Sequence, residues 1–239
     1  MLRIHRLLAA ALLVFVGNAA SASIAIDANV SKDRSTAATT LATSAFSTTA
    51  GNELLLAFVS TDYNSGTNTS VTSIAGAGLT WVRVVRTNAQ SGTAEIWRAF
   101  APSPLASVTV TVTLSQSVAA SITVMSFTGA DPSGTNGSGA IGAIGSTNAA
   151  SGAPTATLVT TRNNSWVFGV GTDYDNPIAR TPGTGQSIVH QYLATIGDTY
   201  WVQRTTTSIA AIGTSVIVND TAPTGDRYNL TICEIRAPQ

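Results

Sequence analysis

Two carboxylates stand two residues apart in GVGTDYDNP, residues 169–177, directly after the apolar run Trp166-Val167-Phe168-Gly169-Val170. Residues two apart in an extended strand point to the same side. Asp173 and Asp175 therefore have the spacing to converge on a cation, helped by backbone carbonyls and a second loop carrying Asp198, Asp220 or Asp226. Calcium is the cation such donors suit, since it takes about six to eight oxygen ligands in flexible geometry. The sequence has no full EF-hand or repeat-type calcium loop, and the same residues equally suit Asx-turns, in which a carboxylate accepts amides of its own turn. Paired acids also serve glycoside hydrolysis when two carboxyl groups stand roughly 5–10 Å apart across a sugar bond, a distance that sequence spacing does not set. An almost matching phrase, FVSTDYNSG at 58–66, follows the apolar run 54–59 and suggests equivalent positions in two halves of the chain.

A second constellation is Tyr200-Trp201-Val202-Gln203-Arg204, which as a strand puts Trp201 and Gln203 on one face and Tyr200, Val202 and Arg204 on the other. An indole that stacks on a sugar beside an amide that bonds its hydroxyls would suit a carbohydrate groove. Tyr174, Trp201 and Gln203 are the ligand-binding candidates on this reading. The competing role for Trp201, shared with Trp81, Trp97 and Trp166, is to fill space between sheets, because aromatic side chains carry much of a core's area. In NDTAPTGDRYN, Asp220, Pro223, Gly225 and Asp226 have the composition of a reverse turn, and Asp226 and Arg227 are placed to tie it to the following strand.

Nucleophilic and zinc chemistry find little here. His5 lies in the leader described below, so His190 alone would have to serve any Ser-His-Asp arrangement. No G-x-S-x-G elbow is present, and one histidine with one cysteine does not make a zinc site. His190 alternates with Val189 and Gln191 and reads as a packed or hydrogen-bonded side chain. Cys233, the only cysteine, reads as a buried structural thiol.

The elements that must position these residues are strands. Residues 107–114, SVTVTVTL, alternate Val or Leu with Ser or Thr, the period of a sheet with one buried face. Further strands are expected at 23–30, 53–61, 70–75, 79–86, 93–100, 119–128, 156–161, 165–172, 187–194, 199–205, 214–218 and 229–236, separated by Gly, Asn, Asp and Pro clusters. No segment shows a comparable helical period. The expected fold is all-β, an antiparallel two-sheet β-sandwich of the jelly-roll kind. Residues 129–157, rich in Gly, Ser and Ala, are expected as a surface crossover within one domain.

The motifs SWVFGVG at 165–171, GDTYWVQR at 197–204 and NDTAPTGDRYNL at 219–230, with AGNELLLAFVS, LTWVRVV and GTAEIWRAF in the first half, resemble a module of large secreted or surface proteins of environmental bacteria, often found beside immunoglobulin-like repeats. The resemblance covers most of the chain. It implies an extracellular β-sandwich without an assigned reaction, and no catalytic residues carry over. The sequence reaches only to Gln239, so the expectation is one module standing by itself rather than one bead of a long adhesin.

Residues 1–22 fit a bacterial signal peptide: basic Arg3 and Arg6, an apolar core from Leu7 to Val16, and Ala20-Ser21-Ala22 as a small-x-small cleavage site. No later stretch approaches the roughly 20 apolar residues of a spanning helix, so the expected product is secreted or held at the cell surface, with no membrane span. Cleavage after Ala22 takes 22 of 239 residues and leaves 217, a length suited to a single β domain. It also removes Arg3 and Arg6, turning 12 basic against 12 acidic residues into 10 against 12. With Lys32 the only lysine, that balance excludes a nucleic-acid footprint. Charged residues are 10% of the chain, so the surface is solvated mainly by hydroxyls and amides.

Three functions fit these readings. The leading one is a non-catalytic recognition or adhesion module whose partner is an extracellular glycan or cell-surface component. The second is a self-associating structural subunit of a filament or surface layer, in which SIAIDANVS after Ala22 adds a strand to a neighbour's sheet. The third is a polysaccharide-acting enzyme using paired Asp residues.

Overall fold

The computed structural model describes residues 23–239, and the expected signal peptide lies outside them. The chain is all-β and antiparallel, with sheets packed face to face and no helix among the described residues long and apolar enough to cross a membrane. Fourteen strands follow one another: β1 (Ala25–Ala42), β2 (Glu53–Thr61), β3 (Val71–Gly76), β4 (Val82–Thr87), β5 (Thr93–Ala101), β6 (Val110–Thr128), β7 (Ile141–Ala149), β8 (Thr155–Val159), β9 (Trp166–Asp173), β10 (Thr181–Pro182), β11 (Gln186–Leu193), β12 (Thr199–Thr205), β13 (Ser215–Ala222) and β14 (Tyr228–Ile235).

The strand order reveals a duplication. In the first half it runs β1-β6-β2-β5-β4, with β3 also on β6; in the second it runs β7-β14-β9-β12-β11, while β8 and β10 flank β13. The long β1 and β6 pair along their whole length, and in the second half each is broken in two: β7 with β14, and β8 with β13. Cross-strand partners fix the residue equivalence. Phe58 lies opposite Thr123 and Ile96, as Val170 lies opposite Thr231 and Val202. A one-residue bulge interrupts β4 at Val84 and β11 at Val189, so even the irregularities correspond.

Side-chain alternation then builds three cores. Leu54, Leu56 and Phe58 of β2 meet Phe168, Val170, Val202, Cys233 and Ile235 between the two large sheets. The alternate residues Leu55, Ala57 and Val59 face Val71, Ile74, Trp81, Val110 and Val112 inside the first half. Val167, Trp201, Leu230 and Ile232 face Ala156, Leu158, Val216 and Val218 inside the second. β2 reads as an unbroken apolar run because both of its faces are buried. Each such leucine or phenylalanine contributes about 1.5–3 kcal/mol through its lost hydration.

The Gly/Ser/Ala-rich stretch 129–157 holds β7 and the first residues of β8. The segment expected to donate a strand to a neighbour is paired within its own sheet, Ala25 opposite Thr128 and Ser31 opposite Thr123.

Candidate functional site

β2 and β9 lie against each other at the centre of the molecule and end at the same rim. Ser60 Oγ donates to the carbonyl of Gly171 at 2.8 Å, and Thr172 Oγ1 donates to the carbonyl of Thr61 at 3.2 Å. The two TDY phrases therefore do meet, but one residue out of step: Thr61 closes β2 whereas Asp173 closes β9. Matching Phe58 with Val170 sets Asp62 against Tyr174. The rings of Tyr63 and Tyr174 pack edge to face with centroids 6.2 Å apart, and both are half-buried.

Beneath the rings sit carboxyl groups. Asp198, buried just before β12, accepts the Tyr200 hydroxyl at 2.7 Å and lies near Asp62, which accepts the Tyr63 amide. Burial, with the neighbouring Asp62 and Asp173 charges adding to it, pushes Asp198 up to about 8. Asp62 is raised too, chiefly by burial.

The loops that carry these groups are braced. Gln116 Oε1 accepts the amide of Asn64 at 3.0 Å and Thr69 Oγ1 at 3.1 Å, while its Nε2 donates to the carbonyls of Ser65 at 2.9 Å and Thr67 at 2.6 Å. One side chain thus sets the loop after β2. Thr199 Oγ1 donates to the carbonyls of Asn176 and Ile178 and does the same for the loop after β9.

Asp173 and Asp175 do not converge on a cation. Strand alternation stops at Asp173, the last residue of β9, and the chain turns there: Asp173 Oδ1 accepts the Asp175 amide at 2.7 Å, as in an Asx-turn. The other oxygen is taken by Arg180, whose side chain is fully buried. Burial pushes Asp173 up to about 7, against the pull of Arg180 and with Asp226 adding to the rise. Asp175 is exposed and accepts the Arg227 amide at 2.7 Å. No three His, Cys, Asp or Glu side chains among the described residues gather round a metal-sized point. Arg180 thus holds the Asp173 oxygen that the calcium reading assigned to an ion, and Asp175 turns to the Arg227 amide instead.

Trp201 and Gln203 do share a face, as alternation required, but it is the inner one. Trp201 is 1% exposed and Gln203 fully buried. The indole Nε1 donates to Gln203 Oε1 at 2.7 Å, and Gln203 Nε2 donates to Gln186 Oε1 at 3.0 Å. The ring lies across Gly171, where a Cβ would come within 2.1 Å of it, which explains the glycine in VFGVG. The sugar platform expected of Trp201 and Gln203 is thus replaced by a core contact, and of the three ligand candidates Tyr174 alone reaches the rim. Asp62, Tyr63 and Gln116 complete it, and the TDY echo was the signal that pointed to the first two.

Comparison with known proteins finds no match to a family model, a curated protein or a solved structure.

Proposed function

We propose that the chain is an exported, non-catalytic recognition module that binds extracellular carbohydrate at the rim where its two halves meet. The observation that supports this reading is the Tyr63–Tyr174 pair at 6.2 Å, set over the Asp62–Asp198 carboxyls on loops braced by Gln116 and Thr199. Aromatic area beside a few fixed polar groups is the composition that holds a polyhydroxylated ligand. Loops mounted on a rigid sheet hold such groups with little ordering cost. The reading agrees with the extracellular module that the sequence resembles. Hydrolysis has less behind it, since Asp173 and Asp175, the acids whose spacing suggested it, are engaged by Arg180 and by the Arg227 amide.

The test is binding of the purified protein to a panel of bacterial and plant polysaccharides, with calcium and with EDTA. Selective binding is expected, retained in EDTA because Arg180 rather than a metal neutralises Asp173. Tyr174→Ala should weaken it roughly tenfold or more while the thermal midpoint moves little, the ring being a contact and not a core residue. A protein that binds nothing on the panel would sink the proposal.

A second reading, self-assembly, draws on the outer face of the first half. There Thr40, Thr113 and Ser73 form one cross-strand row and Ala42, Thr111 and Ala75 the next, without a charge among them. Charge is one of the usual defences against sheet association, so sedimentation at rising concentration is the experiment that weighs this reading.

A further inference from the structure

At the end of β9 opposite the rim, the seam between the halves opens into a cavity of about 300 Å³, lined by Ile24, Ile26, Phe127, Trp166, Phe168 and Arg204. The walls are mainly apolar, and the one charged lining group is a cation. Arg204 lies over the Trp166 ring, its guanidinium carbon 4.9 Å from the centroid. Stacking of this kind leaves the in-plane N–H donors free, and no carboxylate among the described residues pairs with Arg204.

The duplication shows how the matching place in the first half is used. Residue equivalence sets Leu54 against Trp166, Leu56 against Phe168, Ile235 against Phe127 and Arg98 against Arg204. There the segment between β6 and β7 is laid on the seam. A Cβ added to Gly137 would fall 2.9 Å from Leu54 Cδ1, and Ala140 is fully buried in the central core. Chain fills the first position, and the second is left as a cavity with an aromatic wall in place of the two leucines.

We propose that this cavity is a binding site for a small apolar carboxylate, aromatic or short-chain alkyl. Trp166, Phe168 and Phe127 would take the apolar body, and Arg204 would take the carboxylate through its free fork of donors. The volume stands at the small end of the ligand-pocket range of about 300–1,000 Å³, which sets the size class. A bidentate guanidinium–carboxylate contact supplies the polar anchor. This site is separate from the rim and does not depend on it.

Phenylacetate and its uncharged amide, phenylacetamide, are the probes, followed by calorimetry and by chemical shifts of the Trp166 indole in the purified protein. Phenylacetate should bind and perturb Trp166, with phenylacetamide weaker by roughly tenfold or more. Arg204→Gln should lower phenylacetate affinity to that of the amide and leave the amide unchanged. Ile26→Trp fills the mouth from a position 39% exposed, so it is tolerated by the fold and should abolish binding of both probes; it also serves if Arg204→Gln does not fold. Tyr174→Ala should change neither. Absence of any shift at Trp166 with millimolar phenylacetate, equal binding of acid and amide, or full binding by Ile26→Trp would each overturn the proposal.

Discussion

The two halves share a strand plan but solve the same buried-polar problem in opposite ways. In the first, Glu95 is fully buried and its carboxylate is saturated: Arg86 Nε and the Val71 amide both donate at 2.7 Å, and Trp97 Nε1 donates at 3.0 Å. In the second, the residues matched to Glu95 and Trp97 are Trp201 and Gln203, so indole and acceptor have exchanged places and the acceptor has lost its charge. The cation there is Arg180, stacked on Trp201 at 4.6 Å and paired with Asp173 at the rim. Asp220 nearby has both carboxylate oxygens buried without a hydrogen-bond partner. One backbone thus tolerates either a charged or a neutral station. What differs is the charge at the station: the first half keeps Glu95 there and pairs it with Arg86, and the second keeps neutral Gln203 and pairs Arg180 with Asp173.

Truncating the two acceptors separates these solutions most sharply. Glu95→Ala strands Arg86, the Val71 amide and the Trp97 indole, and should cost about 3–5 kcal/mol, the loss typical of breaking a buried ion pair from one side. Gln203→Ala leaves only neutral groups unpaired and should cost about 1–3 kcal/mol. Urea unfolding of both variants gives the two numbers, and equal losses would show that charge at the station does not matter.

How much of this was legible beforehand depended on whether a strand's neighbours left a mark in its own residues. β2 and β9 were legible because burial on both faces forces continuous apolar runs. β1 was read only to residue 30, since from Ser31 to Ala42 it is a half-exposed edge with register shifts that erase alternation. β7 was read as crossover because its glycines look flexible. They are small for packing: a Cβ at Gly142 would lie 2.0 Å from Glu234 Oε2, and one at Gly145 would lie 2.9 Å from Ile232. Glu234 uses that space to accept the Ala143 amide at 2.8 Å and Ser165 Oγ at 2.6 Å. The common face of Trp201 and Gln203 followed from alternation, but nothing local shows that β13 and its neighbours cover it. Asp62 and Asp198 meet only through the tertiary fold.

The buried acids of raised pKa, three of them in the second half, should make stability fall as pH rises. Burial is the first cause of the rise in Asp198 to about 8 and in Asp173 and Asp220 to about 7; Glu53 in the first half adds one more at about 7. Unfolded, these carboxyls titrate near 4. The folded chain therefore holds more protons than the unfolded chain between about pH 4 and 8, so unfolding free energy declines through that window. Asp27, Asp131 and Glu234 are lowered by their hydrogen bonds and act oppositely, their contribution being lost below about pH 4. The thermal midpoint should peak on the acid side of neutrality. Asp198→Asn keeps a hydrogen-bonding side chain beside Tyr200 and Asp62 but cannot ionise, and should flatten the decline toward pH 8. A wild-type midpoint that climbs from pH 5 to 8 would contradict this assignment.

The smallest expected difference lies at the two edges of the seam, which the duplication relates to each other. Where β11 passes β1, His190 Nε2 stands 2.9 and 3.0 Å from the two oxygens of Asp33, and Tyr192 meets Ser35. Where β4 and β5 pass β7 and β14, the seam is closed by amides: Gln90 Nε2 donates to Asn148 Oδ1 at 2.9 Å, and the Gln90 backbone amide donates to Asn229 Oδ1 at 3.0 Å. Both contacts are partly solvated, so His190→Ala and Gln90→Ala should each cost about 0.5–1 kcal/mol. Salt tells them apart. Raising ionic strength from about 0.05 to 0.5 M should shrink the His190→Ala loss where the contact is an ion pair, because a partly exposed pair is screened over such distances. The Gln90→Ala loss should stay constant, since a neutral amide pair has no ion atmosphere to compete with. Matching salt responses would mean that the imidazole acts at this seam as a neutral hydrogen-bonding group, and the two edges would then differ in sequence without differing in kind.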